Sequence, residues 1–217
     1  MPTRAILVTG FEPFAGFGRN PSAEIATALD GTAIDGCSVV GRVLPVTLDG
    51  LDAALERALS GIDPRAVVAL GLAAGAPAIC LERVAVNLAD FTMPDNAGLR
   101  ARERKLDPAG PDARASRLPL RAIREALLAR GIPARLSNSA GTYLCNAAMY
   151  RLLGRLPQAV PAGFIHLPHL PAEAARLMAE GEGDLVPSMA LELQVAAVRA
   201  ALALCLENRL VEHHITA

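Results

Sequence analysis

The sequence predicts an α/β fold: a largely parallel, twisted sheet with helices on both faces. Three observations carry this. Short apolar runs of strand type alternate along the chain with longer runs of helix type. One run, "RAVVALGL" (Arg65 to Leu72), is apolar from its second residue onward, as a strand covered on both sides must be. No internal repeat, low-complexity tract or linker interrupts the 217 residues, so residues 1–217 read as a single domain.

The elements follow in order. "AILVTG" (Ala5 to Gly10) is the first strand, followed by a Gly- and Phe-rich loop, "FEPFAGFGRNPS". "SAEIATALD" reads as a helix with Ser22 as its N-cap. "CSVVGRVLPV" is a second strand, ending at Pro45, and "TLDGLDAALERALSG" a helix capped by Thr47 and closed by Gly61. After the apolar third strand, "ICLERVAVNL" places Cys80, Glu82, Val84, Val86 and Leu88 on one face of a single strand by period-two alternation. A loop with Pro94, Pro108 and Pro111 runs from Ala89 to about Leu118, and a helix follows from about Leu120 to Arg130, ended by Gly131. "ARLSNSAG" holds a short strand and a turn. The next helix contains Cys145, with Ala148, Met149 and Leu152 at +3, +4 and +7. "AGFIHLP" is a strand stopped by Pro168, and Ser188 opens a final helix reaching about Arg209.

Composition narrows the function. Hydrophobic residues make up 52% of the chain and aromatics only 3%, so the core is aliphatic. With 21 basic and 22 acidic residues and no basic block, neither nucleic acid nor an anionic membrane is an expected partner. No apolar leader and no membrane-length run stand out, which predicts a soluble, cytoplasmic protein. Cys37, Cys80, Cys145 and Cys205 form no C-x-x-C pattern and read as free thiols. His166 and His169 have H-x-x-H spacing, but Pro168 breaks helical geometry and no carboxylate motif accompanies them. No metal and no cofactor is expected.

Cys145 stands in the first turn of its helix, after a Gly-Thr turn. A helix N-terminus favours negative charge, and its free N–H groups can receive a developing oxyanion. Packing as a small core residue is the alternative. An imidazole partner would come from His166, at the carboxyl end of a strand where sites in α/β sheets collect; His213 and His214 lie near the C-terminus and read as disordered or surface residues. Glu82 sits among apolar neighbours, where a carboxylate must be paired. It either orients a histidine or belongs to an edge strand with its side chain in solvent beside Arg83. The glycine-rich first loop is neither a Walker loop nor a dinucleotide fingerprint. Its Phe11 and Phe14 either line a flat, neutral pocket or anchor the core.

Taken together and in order, "VTGFEPFAGFGRNPS", "LERVAVN", "PDNAG", "SAGTYLCNAAMY" and "GFIHLPHLP" resemble the pyroglutamyl peptidase I family, across most of the chain. The resemblance implies a cytosolic cysteine peptidase with an open α/β/α sandwich of phosphorylase/hydrolase-like kind, often a homotetramer, that removes N-terminal pyroglutamate from peptides. By motif it implies a triad of Glu82, Cys145 and His166. It also implies a lactam ring held between Phe11 and Phe14, with Tyr143 where the family commonly has Phe and Asn20 organising the loop. The family's glutamine after the third strand is Leu72 here, its arginine before the Pro-Asp-Asn is Thr92, and His169 replaces a residue more often apolar. Two other readings stay open: a thiol hydrolase of the same fold acting on another acyl or lactam substrate, and a non-enzymatic ligand-binding member.

Overall fold

The computed structural model describes the backbone of residues 2–215 and the side chains of residues 2–207. Its elements are β1 (Thr3–Phe11), α1 (Pro21–Leu29), β2 (Ala33–Ile34), β3 (Cys37–Leu44), α2 (Leu48–Leu59), β4 (Ile62–Leu72), β5 (Ile79–Glu82), β6 (Val84–Val86), β7 (Ala113–Ala115), α3 (Leu120–Ala129), β8 (Ala134–Ser137), α4 (Leu144–Arg155), β9 (Ala162–Leu167), α5 (Pro171–Ala179) and α6 (Leu191–Ile215). Seven strands form one sheet in the order β2-β3-β1-β4-β9-β5-β8, and β6 and β7 form a separate ribbon. The pairs β3–β1, β1–β4 and β4–β9 are parallel, while β5 runs antiparallel to β9 and carries β8 parallel beside it. The sheet is therefore largely parallel, with its direction reversed twice, between β2 and β3 at one edge and between β9 and β5.

Alternation of side chains along the strands fills two cores. Leu7, Val67, Ala69, Ala162 and Phe164 pack under α2 and α4. Ile6, Val8, Val68, Leu70 and Ile165 pack under α1, α3 and α6. Strands covered on both faces lose the alternating pattern, which is why β1 and β4 read as continuous apolar runs.

Several local expectations are corrected. Asn20, not Ser22, caps α1: its Oδ1 accepts from the Ser22 N–H at 3.1 Å and the Ser22 hydroxyl at 2.7 Å, and Pro21 takes the first helical position. The Ser22 Oγ in turn accepts the Phe11 N–H at 2.9 Å, tying the helix start to the end of β1. Thr47 caps α2 by position only; the Leu48 N–H is satisfied by the Asp95 carboxylate at 2.8 Å, from 47 residues away. The single strand expected over "ICLERVAVNL" is two. Arg83 still donates its N–H to Ser137 O but gives its own carbonyl to the Ser116 N–H, so the chain leaves the main sheet there and pairs with β7 instead. β2, β7 and α5 are additional to the sequence reading, and α6 begins at Leu191 because Ser188 is used in a bridge with His169. The side chains of His213 and His214 lie outside the described residues.

Candidate active site

Glu82, Cys145 and His166 come together on the α4 side of the sheet. β9 presents Ala162, Phe164 and His166 toward that side. Its antiparallel neighbour β5 sets Cys80 opposite His166 and Glu82 opposite Phe164. Glu82 thus reaches His166 along the diagonal of the ladder, a span a long side chain bridges. The His166 Nδ1 lies 2.8 Å from Glu82 Oε1, and the two residues are 8% and 2% exposed. β5 lies between β9 and β8, so Glu82 is interior and the solvent-facing alternative fails.

Cys145 approaches from above. α4 begins at Leu144 with Tyr143 as N-cap and no side-chain cap, and the first intrahelical bond is Ala147 N–H to Tyr143 O. The N–H groups of the first turn therefore point, with the positive end of the helix, at the space beside the sulfur. Asn146, fully buried, fixes this turn: its Nδ2 donates to Val86 O and Leu88 O and its Oδ1 accepts from Val86 N–H, each at 2.8 to 2.9 Å. The sulfur rests over Gly71 of β4, where even a Cβ would stand 2.8 Å from it.

Electrostatics join the three. Burial alone would push the His166 ring's pKa down. Charge and hydrogen bonding to the Cys145 sulfur, then to Glu82, outweigh it and raise the ring to about 9. The imidazolium is thus favoured at neutral pH, with a sulfur on one side and a carboxylate on the other. Among the described residues Glu82 Oε2 is buried without a hydrogen-bond partner, so the carboxylate's interaction is concentrated on the ring.

Beside the sulfur is a small cavity of about 10 Å³ lined by Phe11, Phe14, Val46, Leu72, Tyr143 and Cys145, with Asn20 and Leu144. That is room for about one water, far below the roughly 300–1,000 Å³ of ordinary small-molecule pockets. Phe11 is 2% exposed and belongs to the core it shares with α2 and α4, while Phe14 is half-buried and its ring centroid stands 6.0 Å from that of Tyr143. Tyr143 packs edge-on to Phe91 at 4.6 Å and donates its hydroxyl to Pro94 O at 3.0 Å. Burial pushes its phenol up to about 12, so it stays protonated.

The first loop is held at its base. Asn20 Nδ2 donates to Glu12 O at 3.0 Å, and Glu12 Oε1 accepts from the Val46 N–H and from Asn96. The Pro-Asp-Asn stretch is thereby a brace: Asp95 holds the start of α2 and Asn96 holds the aromatic loop. Leu72, buried at the end of β4, offers the cavity no polar group. Thr92 is exposed. His169 does not join His166: its ring stacks edge-on against Phe17 at 5.1 Å. Two larger surface clefts, sharing Arg114 and Gly154, lie toward the opposite end of α4 and are lined by neither cysteine nor histidine. Gly71 and Asn146 were not picked out by sequence reasoning. Glycine inside an apolar strand was the available signal for the first; periodicity gives none for the second.

The pyroglutamyl peptidase family model matches residues 4–208. Pyrrolidone-carboxylate peptidases from Pyrococcus furiosus and Klebsiella pneumoniae are each 43% identical, over 94% of this chain and 99% and 93% of their own lengths. Solved structures of pyrrolidone carboxyl peptidases superpose with TM-scores of 0.88 for the P. furiosus protein, at 40% identity over 95% of this chain and 100% of that one, and 0.83 for the Thermus thermophilus protein, at 43% identity over 92% and 99%. A match that spans nearly the whole chain in both sequence and backbone leaves one assignment: this chain belongs to the pyroglutamyl peptidase family.

Proposed function

We propose that the chain is a cysteine omega-peptidase that hydrolyses the amide bond following an N-terminal pyroglutamyl residue. One observation carries the reading. A buried carboxylate–imidazole pair, 2.8 Å apart, has as its other partner a sulfur at an uncapped helix N-terminus, beside a small aromatic-walled cavity.

The chemistry follows from the groups. The Cys145 thiolate attacks the pyroglutamyl carbonyl carbon, and the oxyanion forms against the N–H groups of the first turn of α4. His166, cationic at this stage, gives its proton to the departing amine as the C–N bond breaks, leaving a thioester. The neutral ring then takes a proton from water, whose oxygen attacks the thioester, and free pyroglutamate and the thiol are released. Glu82 holds the ring's tautomer and orientation and stabilises its cationic form. Phe11, Phe14 and Tyr143 hold the lactam ring. Pyroglutamate has no free α-amine, so a pocket without a carboxylate of its own suits it. No cofactor enters these steps. The working form is a cytoplasmic homo-oligomer, a tetramer by family resemblance, of one catalytic domain spanning residues 1–217.

A fluorogenic pyroglutamyl amide tests the reading. Wild type should release the fluorophore, Cys145→Ala should not, and iodoacetamide should label Cys145 before Cys37, Cys80 and Cys205. Equal labelling of all four thiols would remove the nucleophile. Turnover of other acyl amides without the pyroglutamyl one would select a related thiol hydrolase, the reading favoured by the apolar Leu72 at the lactam's edge.

A further inference from the structure

The first loop is braced at its base by Glu12, Asn20 and Asn96, but its tip leans on another element. The tip is a tight turn, with Phe17 N–H on Phe14 O at 2.9 Å, and it passes through Ala15 at φ +52°. A non-glycine residue held there needs contacts that over-determine it. α5 supplies them. Glu173, 4% exposed at the start of α5, accepts the Gly18 N–H on Oε1 at 3.3 Å and the Arg176 Nη2 on the same atom at 2.7 Å. Arg176 also reaches Gly16 O at 3.5 Å and pairs through Nη1 with Glu180. His169 stacks against Phe17, and Phe17 stands edge-on to Phe14 at 5.5 Å between ring centroids. Phe14 is a wall of the cavity beside Cys145. Chief among the causes, the hydrogen bond from Arg176 holds the Glu173 carboxyl below its usual range, so it is an anion in its buried place.

We propose that Glu173 is a positioning residue for substrate: through Gly18 and Arg176 it fixes the tip of the first loop and so sets the distance between the Phe14 ring and the Cys145 sulfur. The inference rests on the pyroglutamyl reading. α5 is then the clamp on the movable wall of the lactam pocket. It acts on ring binding, while the Glu82–His166–Cys145 group is held separately by β5, β9 and α4. The effect belongs in KM rather than kcat.

The test uses two readouts on the full chain. The first is kcat and KM for the fluorogenic pyroglutamyl amide. The second is alkylation of Cys145 by iodoacetamide with and without 2-pyrrolidone, the bare lactam, as protectant. Glu173→Ala should raise KM and the protecting concentration of 2-pyrrolidone about tenfold, the size of one lost charged hydrogen bond. It should leave kcat and the unprotected alkylation rate within about twofold of wild type, the scatter of a neutral substitution. Glu173→Gln, which keeps an acceptor for Gly18 but no charge for Arg176, should recover part of the loss and carries the test if the alanine variant does not fold. Unchanged KM and protection in a folded variant would overturn the proposal, as would a fall in kcat at constant KM. A wild type with neither turnover nor protection would instead remove the pyroglutamyl reading, and this inference with it.

Discussion

Gly71→Ala is the sharpest test of how the nucleophile is seated. A Cβ at that position would stand 2.8 Å from Cys145 Sγ, 2.7 Å from Phe164 Cζ and 3.0 Å from Phe164 Cε1. Non-bonded carbons pack at roughly 3.5–4.0 Å, so something must retreat by about 0.8 Å. Phe164 is fully buried, and its ring centroid lies 4.8 Å from that of His166, so it has nowhere to go without moving the general base. The sulfur, on a single rotatable bond at a helix start, yields first and leaves the imidazole. A misplacement of about 1 Å at a reacting atom costs on the order of a hundredfold, or about 2.7 kcal/mol of barrier. Overpacking should also lower stability by about 1–3 kcal/mol. The assay pairs kcat/KM on the fluorogenic amide with the Cys145 alkylation rate and a thermal melt. Gly163→Ala is the control: its Cβ would stand 2.3 Å from Ser116 Oγ and 2.8 Å from Leu118 Cγ, on the other side of β9. It should melt earlier yet keep the alkylation rate per folded molecule. A folded Gly71→Ala protein that alkylates and turns over within about threefold of wild type would refute the seating argument, since a displaced nucleophile costs far more.

Two further outcomes are expected. The folded His166 ring sits at about 9, above its ordinary 6.5, so the stabilisation its proton provides is complete below about 6.5 and is lost as pH rises through 9. Glu82→Gln removes a charge that raises the ring, so the alkaline limb of the kcat/KM profile should move to lower pH and kcat should fall by about 10²–10⁴; an unmoved limb would show that Glu82 does not support the cation. Leu72→Gln places an amide at the cavity's edge and should lower KM for the pyroglutamyl amide by about 2–10-fold, the yield of one net hydrogen bond. An unchanged or higher KM would show that no lactam contact is missing there.

Much of the molecule was legible because its period is local. The apolar run of β4 and the 3.6-residue spacing after Cys145 report burial directly, and the strand-to-helix alternation reports the class of sheet. What escaped depends on partners far along the chain. The α1 cap looked like Ser22 because serine before an apolar run is the commoner sign. The competition was decided by Asn20, whose amide also had Glu12 O to hold. The division of "ICLERVAVNL" at Arg83 required Ser116 and Ser137 to claim opposite sides of one residue. α5 begins at Pro171, between the strand stopped by Pro168 and the helix expected from Ser188, where the sequence reading assigns no element.

The site shows the same division, and the reason bears on how the chemistry is built. Cys145 and His166 were readable as candidates because each stands at an element end, where a fold exposes groups without breaking its core. Glu82 was not decidable from pattern, since an interior and an edge strand share the same alternation. What decides it is the reversal between β9 and β5. Had β5 run parallel to β9, the ladder would have set its residues in a different register against β9. Running antiparallel, it sets Cys80 opposite His166 and Glu82 one diagonal step away, on the same face and within 2.8 Å of the ring. β5 is also interior, so the carboxylate cannot relax into water and its charge falls on the imidazole. The strand that reverses beside β9 is thus the one that supplies the third member, and Gly71 on β4, the parallel neighbour of β9 on its other side, opens the space into which the sulfur descends.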